Sequence, residues 1–251
     1  MTALEAVGIA LAGLFAGTIN TVVGSGTLVT FPVLLAAGFP PVTANVSNSL
    51  GLVPGSVSGA IGYRRELVGQ RARLLRLGTA SVLGGIVGAI LLLVLPADAF
   101  AAIVPALIAV ALVLVVLQPW LARKLATRQG QRHEHGGVAL FVGTFLTGIY
   151  GGYFGAAQGV VVLALAGILI DETLQRLNAV KNILTATVNL VSGLIFVFAA
   201  HVAWDAVALL AVGSIVGGQI GAKIGRRLPP AVLRAVIVVV GVAAILQLLL
   251  K

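Results

Sequence analysis

The sequence predicts an all-α polytopic membrane protein built from two inverted-topology repeats of four hydrophobic segments each. Three observations carry that prediction. Of the 251 residues only 9% are charged and 59% are hydrophobic, whereas a soluble domain carries roughly 25% charged residues. Uncharged runs such as residues 77–97 and 99–122, 21 and 24 residues long, reach the length of about 20 that a helix needs to cross a bilayer. The third observation is an internal repeat, set out below. This composition excludes a soluble enzyme, a nucleic-acid binder and a disordered tail. The absence of cysteine removes disulfides, thiolate metal sites and thiol catalysis.

The first segment is read as residues 4–37. The charge-free run of 58 residues from Ala6 to Tyr63 would be about 87 Å long as one helix, so the chain turns back inside it, most clearly at Gly38-Phe39-Pro40-Pro41. Segments 2, 3 and 4 follow at 42–62, 72–95 and 98–118. A polar linker, 119–136, holds Arg123, Lys124, Arg128 and Arg132. Segments 5 to 8 are expected at 137–170, 174–200, 203–224 and 229–250. Repeat 1 is thus residues 1–118 and repeat 2 residues 137–251. The N-terminus has no basic stretch ahead of its apolar run, so no signal-peptide cleavage is expected.

At an offset of 134, Val46, Asn48, Leu50, Val57, Ser58 and Gly59 match Val180, Asn182, Leu184, Val191, Ser192 and Gly193. At an offset of 133, Gly84-Gly85-Ile86-Val87-Gly88-Ala89 matches Gly217-Gly218-Gln219-Ile220-Gly221-Ala222. Matches in one order with a single-residue slip indicate homologous halves.

Charge sets their orientation. The loop between segments 2 and 3 carries Arg64, Arg65, Arg71, Arg73 and Arg76, and its mate between 6 and 7 carries no Lys or Arg. Conversely, the 7–8 loop is bracketed by Lys223, Arg226, Arg227 and Arg234, and its mate has only Asp98. By the positive-inside rule the 2–3, 4–5 and 7–8 connections are cytoplasmic. An even number of crossings is then required between the 4–5 and 7–8 connections, but segments 5, 6 and 7 would make three. Segments 1 and 5, 34 residues each, are therefore expected to be broken, re-entrant hairpins of two half-helices. They would fold near Gly24-Ser25-Gly26 and Gly151-Gly152-Tyr153-Phe154-Gly155, with both termini outside. The competing reading is a long kinked helix with one loop that violates the charge rule.

Broken helices matter because their free backbone groups are tolerated only where they line protein or a wet cavity. The N–H groups beside Ser25, Gly26 and Thr27, and those near Ala157 and Gln158, are expected to meet an anion at the start of a half-helix. On segment 6, Asn178, Lys181, Asn182, Thr185, Asn189 and Ser192 form one helical stripe. Segment 2 offers Asn45, Asn48, Ser56 and Ser58. Asn48 and Asn182 are read as paired ligands across the pseudo-symmetry axis, and Asn189, Ser192, Ser56 and Ser58 as interhelical glue. Lys181, whose repeat mate is Ser47, has three outcomes open: pairing with Asp171 or Glu172, snorkelling to the cytoplasmic face, or contact with an anion, which is the expectation carried forward. Asn20, Asn45, Asn178 and Thr185 are further candidates. Gly51, Gly55, Gly59 and Gly217, Gly221, Gly225 are expected to be packing faces. His133-Glu134-His135 reads as a solvated loop, His201 and Asp205 as an interfacial pair, and Trp120 and Trp204 as interfacial anchors. No catalytic residues, metal site or cofactor are expected. The partners expected are a small anion and membrane lipid, with no nucleic acid. Self-association and the coupling ion are left open.

Several of these motifs together resemble a known family. They are Gly13-x-x-x-Gly17, Gly24-Ser25-Gly26 and Pro32, then Pro41, Ala44-Asn45 and Asn48, the repeated Gly-Gly-x-x-Gly-Ala, and Asn178 with Lys181-Asn182. In these the chain resembles the sulfite exporter TauE/SafE family, also called TSUP, over nearly its whole length. The resemblance implies a secondary transporter of sulfur-containing anions (sulfite, sulfonates or sulfoacetate) in a bacterial plasma membrane. Alternatives of a different class are an anion channel and a non-transporting membrane scaffold.

Overall fold

The computed structural model describes residues 1–126, 136–224 and 230–249, with side chains for 1–120, 136–223 and 234–246. Its elements are α1 (Ala3–Val22), α2 (Thr27–Ala36), α3 (Pro41–Gly62), a 3-10 turn (Arg64–Leu67), α4 (Arg71–Val94) and α5 (Ala97–Ala126). They continue as α6 (Gly137–Tyr153), α7 (Gln158–Leu169), α8 (Leu174–Ala199), α9 (Trp204–Ile224) and α10 (Pro230–Leu249). The described residues contain no strand. Local chemistry sets several starts. Thr2 and Glu5 form a capping box on α1, Pro41 opens α3 where no N–H is needed, and the Thr173 hydroxyl accepts from the Arg176 N–H at the head of α8.

Among the described residues five helices are long and apolar enough to cross a membrane: α1, α4, α5, α8 and α9. α3 is long enough but carries Asn45, Ser47, Asn48, Ser49, Ser56 and Ser58 as buried polar residues, which lowers its apolarity. It sits inside the bundle, packed on α1, α2, α5, α8 and α9.

Both long apolar segments are broken in two. The breaks fall at the expected glycine stretches and the arms are unequal: α1 and α6 have 20 and 17 residues, α2 and α7 only 10 and 12. The cause is where the flexible backbone lies. Gly24 (φ +91°) and Gly155 (φ +79°) take left-handed conformations late in each segment. The linker expected at 119–136 is also shortened, since α5 continues through Pro119 to Ala126. His133-Glu134-His135 and Gly225 lie outside the described residues.

Helix direction follows from the glycine contacts. Gly13 approaches Leu210, and Gly217 and Gly221 approach Leu14 and Thr18, so α1 and α9 run parallel. Gly51, Gly55 and Gly62 meet Leu210, Ser214 and Ala222, which sets α3 parallel to α9. Gly84 and Gly88 abut the carbonyls of Phe145 and Ile149, so α4 and α6 run parallel. α3 and α8 are antiparallel, with Leu50 against Gly193 and Tyr63 clustered with Ala179. The hydroxyls read as glue divide. Ser58 Oγ bonds the Ile215 carbonyl (2.8 Å) and Ser56 accepts from Asn20 (3.0 Å), but Ser192 bonds its own helix.

At one end of the bundle Glu172, between α7 and α8, ties the chain to the start of α4. Its carboxylate meets Arg176 Nε at 2.9 Å and Arg73 Nη1 at 3.3 Å. Arg176 also donates to the Val68 carbonyl (3.1 Å). Partial burial pushes the Glu172 carboxyl up, but the hydrogen bonds from Arg176, the Thr173 N–H and Arg73 outweigh it and hold the group below its ordinary 4.5. A carboxyl held down in the folded state stabilises fully above 4.5 and loses that contribution as pH falls through its folded value. Glu172→Gln is therefore expected to lower stability at neutral pH by on the order of 1 kcal/mol. Thermal unfolding of the detergent-solubilised protein checks this: the gap to the parent protein should close in acid well below 4.5.

Candidate functional site

The two breaks share one construction. In the first, the N–H groups of Val23 and Gly24 both donate to the Ile19 carbonyl. In the second, those of Phe154 and Gly155 both donate to the Tyr150 carbonyl. The chain then swings away through a left-handed glycine, leaving the last carbonyls of α1 and α6 without intrahelical partners.

Side chains from other helices fill that need. Lys181 Nζ, from α8, donates to the carbonyls of Asn20 (2.8 Å) and Thr21 (3.0 Å). Asn45 Nδ2, from α3, donates to the Tyr153 carbonyl (2.9 Å) at the end of α6. A cation at the carbonyl end of a helix also meets the negative end of its dipole. Lys181 is 0% exposed, so it does not snorkel. The carboxylate of Glu172, one of its two considered partners, is engaged by Arg73 and Arg176.

The breaks touch each other at this point. The Gly159 N–H donates to the Gly24 carbonyl (3.0 Å), and a Cβ on Gly24 would lie 2.6 Å from Gly159 Cα. A Cβ on Gly159 would lie 3.1 Å from Lys181 Cδ. Phe154 packs edge-on against Phe31 of α2, centroids 5.2 Å apart. The α1 end, the α7 start and the Lys181 side chain thus meet in one buried cluster.

Ser25, Gly26 and Thr27 begin α2 beside this contact, all buried. Among the described residues no acceptor takes their backbone N–H groups. The Ser25 hydroxyl, 1% exposed, is also without a partner. On the second break Ala157 adopts φ +58° and its N–H is equally unengaged, whereas Gln158 donates its N–H to the Gly155 carbonyl. The Gln158 side-chain amide lies against Gly151.

The two amides read as a pair differ in state. Asn48 is committed to α2: its Nδ2 donates to Thr27 Oγ1 (3.2 Å) and its Oδ1 accepts from Thr30 Oγ1. Asn182, 2% exposed, has an Nδ2 without a partner. α7, Gln158–Leu169, contains no Ser or Thr, so it offers the second amide no hydroxyl. Of the further candidates, Asn20 donates its amide to Ser56 and lends its carbonyl to Lys181. Asn45 caps α6 and Asn178 is buried with a free Oδ1. Thr185 spends its hydroxyl on the Lys181 and Asn182 carbonyls within α8.

Sequence reasoning missed Thr21, Thr30 and Gly159. Thr30 was detectable, since it lies one turn beyond Thr27 on the face that meets Asn48. Thr21, buried with an unpartnered hydroxyl, carries no such signal. Among the described residues no group of His, Asp or Glu is placed to hold a metal ion.

Known proteins share this arrangement of sequence. The family model described as Sulfite exporter TauE/SafE matches residues 9–248. The chain is 29% identical over 237 residues to the protein named Probable membrane transporter protein YfcA of Escherichia coli K12, covering 94% of this chain and 86% of the relative. It is 28% identical over 249 residues to Probable membrane transporter protein ORF9 of a Sinorhizobium species, covering 95% and 90%. A Haemophilus influenzae protein named Probable membrane transporter protein is 26% identical over 227 residues, covering 90% and 88%. A match over nearly the whole length, on an all-helical bundle with long apolar helices, places the chain in the sulfite exporter TauE/SafE family, a family of membrane transporters.

Proposed function

We propose that the protein is a secondary transporter that moves a small sulfur-containing anion, of the sulfite, sulfonate or sulfoacetate class, across a bacterial plasma membrane by alternating access. The observation that carries this reading is the meeting of the two helix breaks at the fully buried Lys181, beside three unengaged N–H groups at the head of α2. An ammonium has three donors, and Lys181 spends two on carbonyls. The third, with the Ser25 hydroxyl, the N–H groups of Ser25, Gly26 and Thr27, and the free Asn182 amide, makes a donor set suited to anionic oxygens. The family supplies the sulfur-containing class.

Contacts at a constant offset support the inverted-repeat reading. Gly84 and Gly88 rest on the carbonyls of residues 145 and 149, and their sequence mates Gly217 and Gly221 on those of 14 and 18. α3 and α8, the helices with matching sequence, run antiparallel, as related elements do when one repeat is inverted in the membrane. The cations Arg64, Arg65, Arg73 and Lys223 fall at one end of the bundle, which we assign to the cytoplasm with the linker; both termini are then outside. Because Ser25, Lys181 and Asn182 are almost wholly buried, a solute reaches them only when helices move, which favours a carrier over a continuously open channel.

Ligand-dependent thermal shift tests this on the purified protein with sulfite, sulfate, sulfoacetate, taurine and simple carboxylates. A sulfur oxyanion at about 100 times its Kd should add roughly 2.7 kcal/mol of stability, read as a concentration-dependent rise in Tm. If none of these anions raises Tm, the proposed substrate class is wrong.

A further inference from the structure

Away from the central site, a pocket of about 420 Å³ opens where α3 and α9 end together, lined by Gly62, Arg64, Arg65, Glu66, Gln219 and Lys223. The two helices converge tightly there, Gly62 lying against Ala222. The Gln219 amide fixes the wall by donating to the Ser58 carbonyl (2.8 Å) and hydroxyl (3.0 Å). Among the described residues its lining holds three cations against one carboxylate. Arg64, Arg65 and Lys223 are exposed, and none makes a hydrogen bond or ion pair among the described residues.

Its position along the membrane normal is set by α9. From Trp204, exposed at one end, to Lys223 at the other is 20 residues, or about 29 Å between the end residues as helix, close to the hydrocarbon thickness. Lys223 therefore stands at headgroup level. Above it the surface turns apolar in register. Val212, Val216, Gln219 and Lys223 lie at i, i+4, i+7 and i+11, one face of α9, and both valines are exposed. On α3, Val57 and Ile61 are exposed one turn apart and lead down to Gly62 and the arginines. Exposed apolar side chains that lead to an unpaired cationic pocket at headgroup depth have the two-part chemistry of a phospholipid.

We infer that this pocket is a binding site for an anionic phospholipid, whose phosphate is held by Arg64, Arg65 and Lys223 while its acyl chains lie along Val57 and Ile61 of α3 and Val212 and Val216 of α9. Juxtamembrane cations contribute to anionic-lipid binding roughly fivefold in affinity each, and basic pockets between helices hold lipid headgroups. A soluble anion would use the cations and leave the apolar stripe idle.

The test is native mass spectrometry of the full chain released from detergent with added phosphatidylglycerol or phosphatidylcholine. The parent protein should retain phosphatidylglycerol preferentially. The triple variant Arg64→Gln, Arg65→Gln, Lys223→Gln should bind it about a hundredfold more weakly. Equal retention of the two lipids by the parent protein, or undiminished phosphatidylglycerol binding by the variant, overturns the proposal. So does displacement of the lipid by glycerol phosphate at comparable concentration, which would make the pocket a mouth for soluble anions. Should the variant fail to fold, a photoreactive phosphatidylglycerol on the parent protein decides: label on Arg64–Leu67 and the last turn of α9 supports the site, and label elsewhere removes it.

Discussion

Lys181→Met is expected to weaken anion binding by roughly 10- to 100-fold and to suppress flux into proteoliposomes to match. Methionine keeps much of the side chain's length and apolar stem but removes the charged donor, whose hydrogen bonds are worth about 1.5–3 kcal/mol. A second effect accompanies it. The Asn20 and Thr21 carbonyls lose their donor, and each buried group left unsatisfied costs about 1–3 kcal/mol, partly offset because an isolated ammonium no longer has to be kept out of water. The two effects separate experimentally. Tm of the ligand-free protein reads the loss at the end of α1, and anion titration followed by the same signal reads the loss at the site. A variant with lowered Tm and unchanged anion affinity would make Lys181 a cap for α1 and remove it from the donor set. Lys181→Arg is a useful companion. It keeps the charge but presents a planar fork in a space bounded by Gly159, so it should restore part of the Tm and little of the transport.

The sequence pattern shows the broken segments because length and charge conflict: a predominantly apolar segment of 34 residues is too long for one crossing, and the glycines able to take positive φ mark the fold points. Arm lengths were less legible, since nothing in an apolar run says how far along it the left-handed residue falls. Of the site, the buried polar stripe on α8 was readable from helical periodicity. Its partners were not, because Lys181 and Asn45 bond main-chain carbonyls, and every residue has one. The difference between Asn48 and Asn182 was hidden for another reason. The amides align in the repeat, and the state of each depends on whether the facing short helix supplies hydroxyls, as Thr27 and Thr30 do for Asn48 alone. α3 shows the limit of hydropathy as a guide. Its polar residues point at other helices, so a segment buried in the bundle is less apolar than one facing lipid.

Gly24→Ala is expected to abolish transport and to lower stability by several kcal/mol, whereas Gly38→Ala should be mild. The two positions present the same backbone problem, with φ of +91° and +86°, and a Cβ in a left-handed conformation costs roughly 1–2 kcal/mol. They differ in surroundings. Nothing lies within 4 Å of a Cβ on Gly38, but one on Gly24 would meet Gly159 Cα at 2.6 Å and its carbonyl carbon at 2.7 Å. Those are main-chain atoms of the other break and cannot rotate aside. Relief requires the α1–α2 turn to move off α7, which stretches the bond from the Gly159 N–H to the Gly24 carbonyl and shifts the carbonyls on which Lys181 rests. Gly38→Ala thus measures backbone strain alone, and the excess seen with Gly24→Ala measures the contact between the breaks. Tm and proteoliposome flux on both variants give that difference. If they behave alike, the breaks do not need to touch, and a site assembled at their junction loses its physical basis. If only Gly24→Ala fails, the close approach of two main chains is what holds the donors at the head of α2 and those of Lys181 and Asn182 on α8 within reach of one solute.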